Sequence, residues 1–408
     1  MRKRILGFVS AILVCCSVFS QVSYEPINRR DLERIGRLLI QDRVSGVLTD
    51  NYVGFGGLEF GPLEHFVSYN PLEGVRLRLS GRSNSEFSKR FAFDWLVAYG
   101  MNDKKLKYAA SLSYSFKKRP KSVYSFPANM MTVYYSDNSY MPNLANYDAL
   151  YYFSDRNTSY YLAYRRKAGL KYLYEFPISV GISPFAEYND LYSQMYYSYG
   201  ESNETLDKPY RYASLGLEAY FKPNRKKTGN TSLNSRLTRL ETELSVNLSH
   251  NVLLSNSDSY SKVGFVASER LFLGKRMALD MRISGGKIFG NTYHYFYFTP
   301  TQSYGLFSSY YGMNLLDGSA AYHRKEYAQI FAQFNFGGLF CDLIPVFKKW
   351  RMNEFVYGKA LYGEVAPYYE VGIGIDNIFS SFGFEFIRSF GLNGEMNNGL
   401  WGVRIRVR

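Results

Sequence analysis

The sequence predicts an all-β fold, a single transmembrane antiparallel β-barrel of about 14 to 16 strands. First, apolar and polar residues alternate with a period of two along many segments, as in strands with one apolar and one polar face. Second, these segments are about ten residues long, the length at which a tilted strand crosses a bilayer. Third, Tyr, Phe and Trp make up 18% of the 408 residues, and such enrichment is typical of aromatic girdles at the two membrane interfaces.

The first 20 residues are predicted to be a signal peptide, because basic residues at 2–4 precede an apolar core at 5–19. A short membrane anchor is one alternative, although the apolar stretch is short for a span. A lipoprotein acylated at Cys15 or Cys16 is another, although Val14 is larger than the residue that usually precedes such a cysteine.

A short N-terminal segment, residues 21–50, contains the helical pattern 26–43, with Leu and Ile on one face and Arg elsewhere. This pattern predicts an amphipathic helix at the periplasmic surface or in the barrel mouth, and a linker helix is the alternative. Residues 51–408 are predicted to form the outer-membrane barrel.

Sixteen strand candidates follow one another along the predicted barrel. They are residues 52–62, 72–83, 90–101, 106–118, 128–137, 158–174, 176–190, 210–222, 240–254, 260–273, 275–289, 325–338, 353–364, 367–377, 381–391 and 399–408. In the third candidate, Phe93, Trp95 and Val97 should point to lipid, whereas Ala98 should point to the lumen.

The longer connections are predicted to be extracellular loops, because they are rich in Tyr, Asn and Ser. They span residues 138–157, 190–209, 223–240 and 290–324. Since strand direction alternates, these four do not all fall at one end of the barrel, and at least one strand assignment is expected to be wrong.

The formal net charge of +14 indicates anionic partners. The export signal disfavours nucleic acid. Outer-membrane lipids and lipopolysaccharide are therefore the expected partners, with other outer-membrane or periplasmic proteins as further candidates. The predicted location is the bacterial outer membrane.

Five arginines on the polar faces of the first and last strands are the candidate lumen-facing basic residues. They are Arg76, Arg78, Arg82, Arg404 and Arg406. Because the first and last strands of a barrel are neighbours, these side chains are expected near the closing seam. Alternatively, they pair with lumen carboxylates and hold the barrel in shape. The carboxylates considered are Asp94, Glu218, Asp280 and Glu370.

No catalytic site is predicted. His250 lies beside Ser249 and Asn251 in sequence, but the alternation puts its side chain on the apolar face and theirs on the opposite one, so they cannot form a triad. The sequence contains no metal-ligand spacing, nucleotide-binding loop or nucleophile elbow. It therefore predicts neither enzymatic activity nor a cofactor or metal.

Residues 337–350 interrupt the alternation, and their apolar side chains precede Lys348, Lys349 and Trp350. This order predicts a short turn or helix at the membrane interface. A partner-docking surface is the alternative. Cys341, within this stretch, is expected to act as a small apolar residue.

Two parts of the sequence resemble a Gram-negative outer-membrane β-barrel family of unknown function. The start of its barrel is similar to NPLEGVRLRLSGRSN at 70–84 and YGMNDKKLKYAASLSYSF at 99–116. Its closing strands are similar to EYAQIFAQFNFGGLFCDLIPVFKKW at 326–350 and YYEVGIGIDNIF at 368–379. Members usually carry an N-terminal carboxypeptidase-regulatory-like domain. Their barrel is similar to the surface-antigen and barrel-assembly-factor superfamily, whose members insert or translocate other proteins.

The resemblance covers the barrel part only, and the chain ends in Arg408 where such barrels usually end in an aromatic residue. It implies a non-enzymatic integral outer-membrane β-barrel, a reduced relative of the assembly and translocation barrels. A passive pore or a structural surface antigen is the alternative, and a barrel lipid hydrolase is a third hypothesis. The family has no agreed catalytic residues to carry over.

Overall fold

The structure is a computed structural model, and it describes most of the predicted barrel. The described residues are 52–61, 66–70, 73–117, 126–140, 160–197, 204–206, 210–223, 242–254, 258–274, 276–292, 296–298, 308, 310–316, 324–363, 367–378, 382–391 and 399–407. The predicted signal peptide, 1–20, and the segment 21–50 with its helical pattern lie outside these residues and stay predictions.

Among the described residues, nineteen strands form one antiparallel sheet. Their bounds are β1 Val53–Phe55, β2 Leu58–Phe60, β3 Val67–Asn70, β4 Gly74–Ser83, β5 Phe91–Gly100, β6 Leu106–Ser115, β7 Asn129–Tyr140, β8 Tyr160–Glu175, β9 Val180–Tyr197, β10 Glu204–Leu206, β11 Tyr210–Phe221, β12 Glu243–Leu253, β13 Ser259–Leu273, β14 Met277–Gly290, β15 Glu326–Asn335, β16 Asn353–Gly363, β17 Tyr368–Ile378, β18 Phe382–Gly391 and β19 Trp401–Val407. A 3-10 turn at Cys341–Leu343 and a short helix, α1 Pro345–Trp350, join β15 to β16. No helix among the described residues is long and apolar enough to cross a bilayer.

The predicted number of strands is confirmed. β2 and β3 pair with successive parts of β4 and act as one interrupted strand. β1 and β10 are three-residue additions that pair with β2 and β9. Within the described residues, the remaining strands together with the interrupted one make sixteen. Each predicted strand from 72–83 onward corresponds to one of them, whereas the prediction 52–62 spans β1 and β2 and leaves out β3.

The polarity of the sheet is the reverse of that of a soluble protein. On β18, Phe384 and Phe386 are exposed, whereas Glu385 is 2% exposed and Ser389 is fully buried. The same alternation recurs along β4, β5 and β6. One face therefore presents large apolar side chains outward, and the other buries polar and charged ones, as in a barrel that spans a membrane.

The polar face is concave. Arg406 on β19 donates a hydrogen bond to Gln333 on β15, with 3.0 Å between NH1 and Oε1. These strands are four places apart, so in a flat sheet their backbones would be about 19 Å apart. The sheet must curve strongly for the two side chains to meet, and the polar face therefore lines the lumen of a β-barrel.

The alternating strand directions give the barrel two ends. The turn end is where β19 finishes at Val407, and the loop end is where β14 finishes at Gly290. Three of the four long connections leave the sheet at the loop end, but the connection containing 223–240 follows β11 and leaves at the turn end. The four connections therefore do lie at both ends of the sheet. The expectation of a wrongly assigned strand is also met, because candidate 52–62 is a hairpin of β1 and β2 and not one strand.

The connection between β15 and β16 extends the apolar outer face at the turn end. The rings of Phe334 and Phe336 lie 4.8 Å apart, and those of Phe336 and Phe340 lie 5.7 Å apart. Leu343 is 79% exposed, while the Glu354 carboxylate accepts a backbone hydrogen bond from Phe340 at 2.8 Å and fixes the turn. The predicted position of this connection at a membrane interface stays a prediction.

Candidate functional site: a plug in the lumen

A stretch of the connection between β14 and β15 lies inside the lumen. This stretch, Tyr310–Leu316, is called the plug segment here, and its residues from Gly312 to Leu316 are buried. Met313 is fully buried and Asn314 is 1% exposed. The prediction that residues 290–324 form an extracellular loop is therefore wrong for this part of the connection.

Glu370 on β17 anchors the plug segment through its backbone. Both carboxylate oxygens lie 2.8 Å from the backbone nitrogen of Asn314, and Oε1 lies 2.6 Å from that of Leu315. The hydroxyl of Tyr368 donates a further hydrogen bond to Oε1 at 2.9 Å. A fully buried carboxylate needs several donors to offset its lost hydration, and the plug backbone supplies most of those seen here.

Neighbouring strands bind the carbonyl oxygens of the plug segment. The amide nitrogen of Gln329 on β15 donates to the carbonyl of Tyr311 at 2.8 Å. The ammonium of Lys359 on β16 donates to the carbonyl of Gly312 at 2.6 Å. A buried carbonyl without a donor is costly, so these contacts allow an irregular backbone to lie in the lumen.

The carbonyl of Asn314 and its side chain connect the plug segment to the last two strands. Arg404 on β19 donates to the carbonyl at 3.1 Å through NH2. The Asn314 amide donates to Oε1 of Glu385 on β18 at 2.7 Å. Glu385 also pairs with Arg406, with 2.7 Å between Oε2 and NH2, and the Arg406 guanidinium lies 3.9 Å from the ring centre of Phe355.

At its start, the plug segment is held by Asp280 on β14. The hydroxyl of Tyr310 donates to Oδ2 of Asp280 at 2.6 Å, and the Asn335 amide donates to the same oxygen at 2.9 Å. Arg270 on β13 forms a two-point ion pair with this carboxylate. Asp280 is fully buried, and these donors compensate its charge.

Shape also fits the plug segment to the wall. A Cβ atom on Gly402 of β19 would lie 2.3 Å from Cδ2 of Leu315. Such a distance is far inside van der Waals contact, so the absence of a side chain at position 402 leaves room for Leu315. Leu315 in turn packs with Phe331, Phe355 and Ile387 of the wall.

A second buried network lies at the loop end beside the first strands. Glu73 pairs with Lys107 at 2.7 Å and with Arg76 at 3.3 Å. Lys107 also pairs with Asp103 at 2.6 Å, and the Tyr164 hydroxyl donates to the same Asp103 oxygen. Burial would raise the pKa of Asp103, but the hydrogen bonds from Lys107 and Tyr164 outweigh it and hold the pKa below its ordinary value.

The five candidate basic residues lie on the concave face but do not form one cluster. Arg76 belongs to the network at the loop end, whereas Arg404 and Arg406 contact the plug segment or its supports. Arg78 donates to the Ser80 hydroxyl at 3.2 Å, and Arg82 pairs with Glu59 at 2.6 Å. The three arginines of β4 and the two arginines of β19 therefore make contacts in different parts of the lumen.

Several of the carboxylates that the sequence suggested as partners have other roles. Asp280 pairs with Arg270, and Glu218 pairs with Lys171. Glu370 accepts hydrogen bonds from the backbone of the plug segment, and no sequence pattern predicts this role. The apolar run YYGMNLL at 310–316 was the available signal, because a solvated loop seldom carries so many apolar residues in succession.

A cavity of about 510 Å³ opens at the turn end of the lumen. Tyr310 of the plug segment forms part of its wall, together with Arg270, Lys348, Arg351 and Asp376. Basic groups outnumber carboxylates among the lining side chains. The lumen therefore contains a basic cavity at the turn end, and Tyr310 of the plug segment forms part of its wall.

His250 is exposed on the outer face, and its Nδ1 lies 3.0 Å from the Ser261 hydroxyl. Within the described part of the chain, no group of three or more His, Cys, Asp or Glu side chains could hold a metal ion. The buried carboxylates nearest the plug segment, Glu370 and Glu385, are bound to donors of the protein itself.

Comparison with known proteins adds a family and two distant structures. No curated protein matches the sequence. The structure is similar to that of BamA from Haemophilus ducreyi lacking POTRA domains 1–3, with a TM-score of 0.46, 10% identity and coverage of 85% of this chain and 70% of that one. It is also similar to CdiB from Acinetobacter baumannii, with a TM-score of 0.43, 10% identity and coverage of 83% and 57%. Residues 55–375 match the C-terminal domain of the family of unknown function DUF5686, and the chain therefore belongs to this family.

Proposed function

We propose that this protein is a non-enzymatic integral β-barrel of the bacterial outer membrane, a relative of the barrels that assemble or translocate outer-membrane polypeptides. The apolar outer face and the fifteen described strands of seven or more residues, β4–β9 and β11–β19, support a membrane-spanning barrel. The expected surroundings are outer-membrane lipids and lipopolysaccharide, with outer-membrane or periplasmic proteins as clients.

The observation that carries the proposal is the anchoring of the plug segment by Glu370. A segment of backbone bound inside the lumen narrows the path that a diffusing solute would follow. Here three backbone-to-carboxylate hydrogen bonds of 2.6 to 2.8 Å hold the segment against the lumen wall formed by β14 to β19. Such a constriction disfavours steady diffusion of solutes and favours a barrel that acts on other polypeptides.

The edge of the last strand gives additional support. The carbonyl of Ile405 on β19 accepts a backbone hydrogen bond from Ser308, at 2.8 Å. Ser308 lies two residues before the plug segment, so the same connection contacts both the lumen and the last strand. A shift of this connection would change the hydrogen bonds available on β19, where an incoming strand could add.

Two measurements on the full-length protein test the proposal. Purified protein in planar bilayers should show little steady conductance, and vesicles containing it should retain small sugars. Protein extracted in mild detergent should retain polypeptide partners in stoichiometric amounts. A large steady conductance with no retained polypeptide would favour the passive pore and overturn the proposal, and hydrolysis of lipid by the purified protein would favour the hydrolase.

A further inference from the structure

Charged side chains on the lipid-facing side of a barrel are costly unless they are paired or lie near an interface. In β14 and β15, the outward-facing Lys287 and Glu326 pair with each other at 2.6 Å. In β7 and β8, Asp137 and Arg166 pair at 3.1 Å. Ionic partners on the protein thus compensate these outward charges.

Arg388 on β18 is different. Its side chain is exposed on the same face as Phe384, Phe386 and Phe390, which are 49%, 44% and 40% exposed. Among the described residues, no carboxylate lies within ion-pair distance of its guanidinium. An arginine keeps its charge under all ordinary conditions, so this position is suited to bind an anionic group.

Aromatic rings fix the orientation of the Arg388 guanidinium. Its central carbon lies 4.4 Å from the ring centre of Trp401 and 5.3 Å from that of Phe390. The Trp401 ring in turn stacks on Phe386 at 4.9 Å. Stacking leaves the N–H edge of a planar guanidinium free to donate two parallel hydrogen bonds to one anion.

The depth of Arg388 matches that of lipid headgroups. It lies three residues before Gly391, the end of β18, which corresponds to about 7 Å below the loop end for a strand tilted by about 45°. Tyr362 and Tyr369, whose rings lie 5.8 Å apart, lie slightly nearer the loop end, because Tyr369 is opposite Phe390 and Val371 is opposite Arg388 in the ladder. Aromatic residues of this kind mark the headgroup level.

We propose that Arg388, held by Trp401 and Phe390, binds the phosphate group of a membrane lipid on the outer surface of the barrel. The guanidinium donates to two phosphate oxygens, and the acyl chains lie along the exposed apolar side chains of β18 and β19. A phospholipid and the phosphorylated anchor of lipopolysaccharide share this chemistry. The inference goes beyond the proposed function and does not depend on the plug segment.

Native mass spectrometry of the full-length protein in detergent tests the inference. The probes are phosphatidic acid and diacylglycerol with identical acyl chains, which differ only in the phosphate. Wild-type protein should bind phosphatidic acid about tenfold more tightly, the size of one charge-assisted interaction. Arg388→Gln should remove this preference, and Arg388→Lys should keep part of it, because an ammonium is a point charge without the planar fork.

Arg351→Gln is the matched control, because Arg351 is also exposed but lines the cavity at the turn end. It should bind both probes like the wild type, and both variants should keep the heat-dependent gel mobility of a folded barrel. Tighter binding of phosphorylated lipid A than of phosphatidic acid would identify lipopolysaccharide as the source, and the reverse order would identify phospholipid. Three results would each overturn the inference. The first is an equal preference for phosphatidic acid over diacylglycerol in the wild type and in Arg388→Gln, and the second is an equal loss of this preference in Arg351→Gln. The third is displacement of bound phosphatidic acid by inorganic phosphate alone.

Discussion

Glu370 holds Asn314 by its backbone, with both carboxylate oxygens 2.8 Å from one nitrogen. This contact does not depend on the side chain of Asn314, so it fixes the path of the plug segment rather than the identity of one residue. The Asn314 side chain makes a separate contact with Glu385. The carbonyl of Asn314 accepts from Arg404 as well, so the plug segment is anchored at this one residue to three successive strands, β17, β18 and β19.

Replacement of Glu370 by Gln should loosen the plug segment. Gln has the same shape but offers one acceptor oxygen and places an amide donor near backbone donors, so a buried N–H group loses its partner. We expect a loss of about 1–3 kcal/mol in stability and an increase in single-channel conductance. Glu218→Gln is the control, since Glu218 pairs with Lys171 on β8, and its conductance should stay at the wild-type level.

A small residue in place of Gly402 should displace Leu315. Because a Cβ atom there would lie 2.3 Å from Leu315, Gly402→Ala should cost about 1–3 kcal/mol through overpacking and raise the frequency of channel openings. The second change, Leu315→Ala, removes the clashing methyl groups. In the double variant, the frequency of channel openings should therefore return to the wild-type level. Additive effects of the two changes would show that this contact does not position the plug segment.

Asp103 should make part of the protein's folding stability depend on pH in the acidic range. Its folded pKa is held below the ordinary value, so its contribution is present above the unfolded value of about 3.9 and is lost as pH falls through the folded pKa. The unfolding temperature of the wild type should therefore fall more steeply between pH 6 and pH 3 than that of Asp103→Asn. Parallel pH profiles for the two proteins would contradict this role.

The assignment of inside and outside can be tested on neighbouring strands. Trp95→Arg on the outer face of β5 should cost about 2–4 kcal/mol if the residue lies near mid-membrane. Ala98 is a poor inward control, because it is 1% exposed and opposite Arg78 in the ladder. Ala109→Arg on β6 is better suited, since its half-buried side chain faces the lumen, and it should cost clearly less in urea unfolding from lipid vesicles.

The seam between the first and last strands can be tested by cysteine crosslinking. Pairs that join residues 52–60 to residues 401–407 should crosslink in the membrane, because an open edge in lipid leaves backbone groups unpaired. Burial and the neighbouring Glu354 raise the pKa of the native Cys341 thiol to about 12, so it should not compete. If no pair crosslinks while pairs across β5 and β6 do, the proposed closure is wrong.

The sequence predicts the barrel well because each strand carries its own evidence. Alternation with a period of two decides which face meets lipid, and Phe93 and Val97 are exposed as expected while Ala98 is buried. The family assignment likewise follows from local motifs. The short strands β1, β3 and β10 were not predicted separately, since three or four residues are too few to show a period.

The plug segment could not be predicted in the same way. Its position depends on contacts between residues far apart in sequence, such as that of Asn314 with Arg404, which are 90 positions apart. Glu370 was identified as a lumen carboxylate, but nothing in its alternation with Val371 shows that it would bind backbone instead of an arginine. Likewise, the rings that stack on Arg388 come from two strands and become neighbours only through the register.

The connection between β14 and β15 also has a mechanical consequence. Near its start, Phe296 packs against residues of β9, β12, β13 and β14, and the plug segment contacts every strand from β14 to β19. One connection thus stiffens a long arc of the wall, while the network of Glu73 and Lys107 stiffens the arc formed by the first strands. On one side, the two arcs are joined by the long antiparallel pairing of β8 with β9. A sideways load on the barrel would therefore concentrate where the arcs meet on the other side, between β19 and the hairpin of β1 and β2.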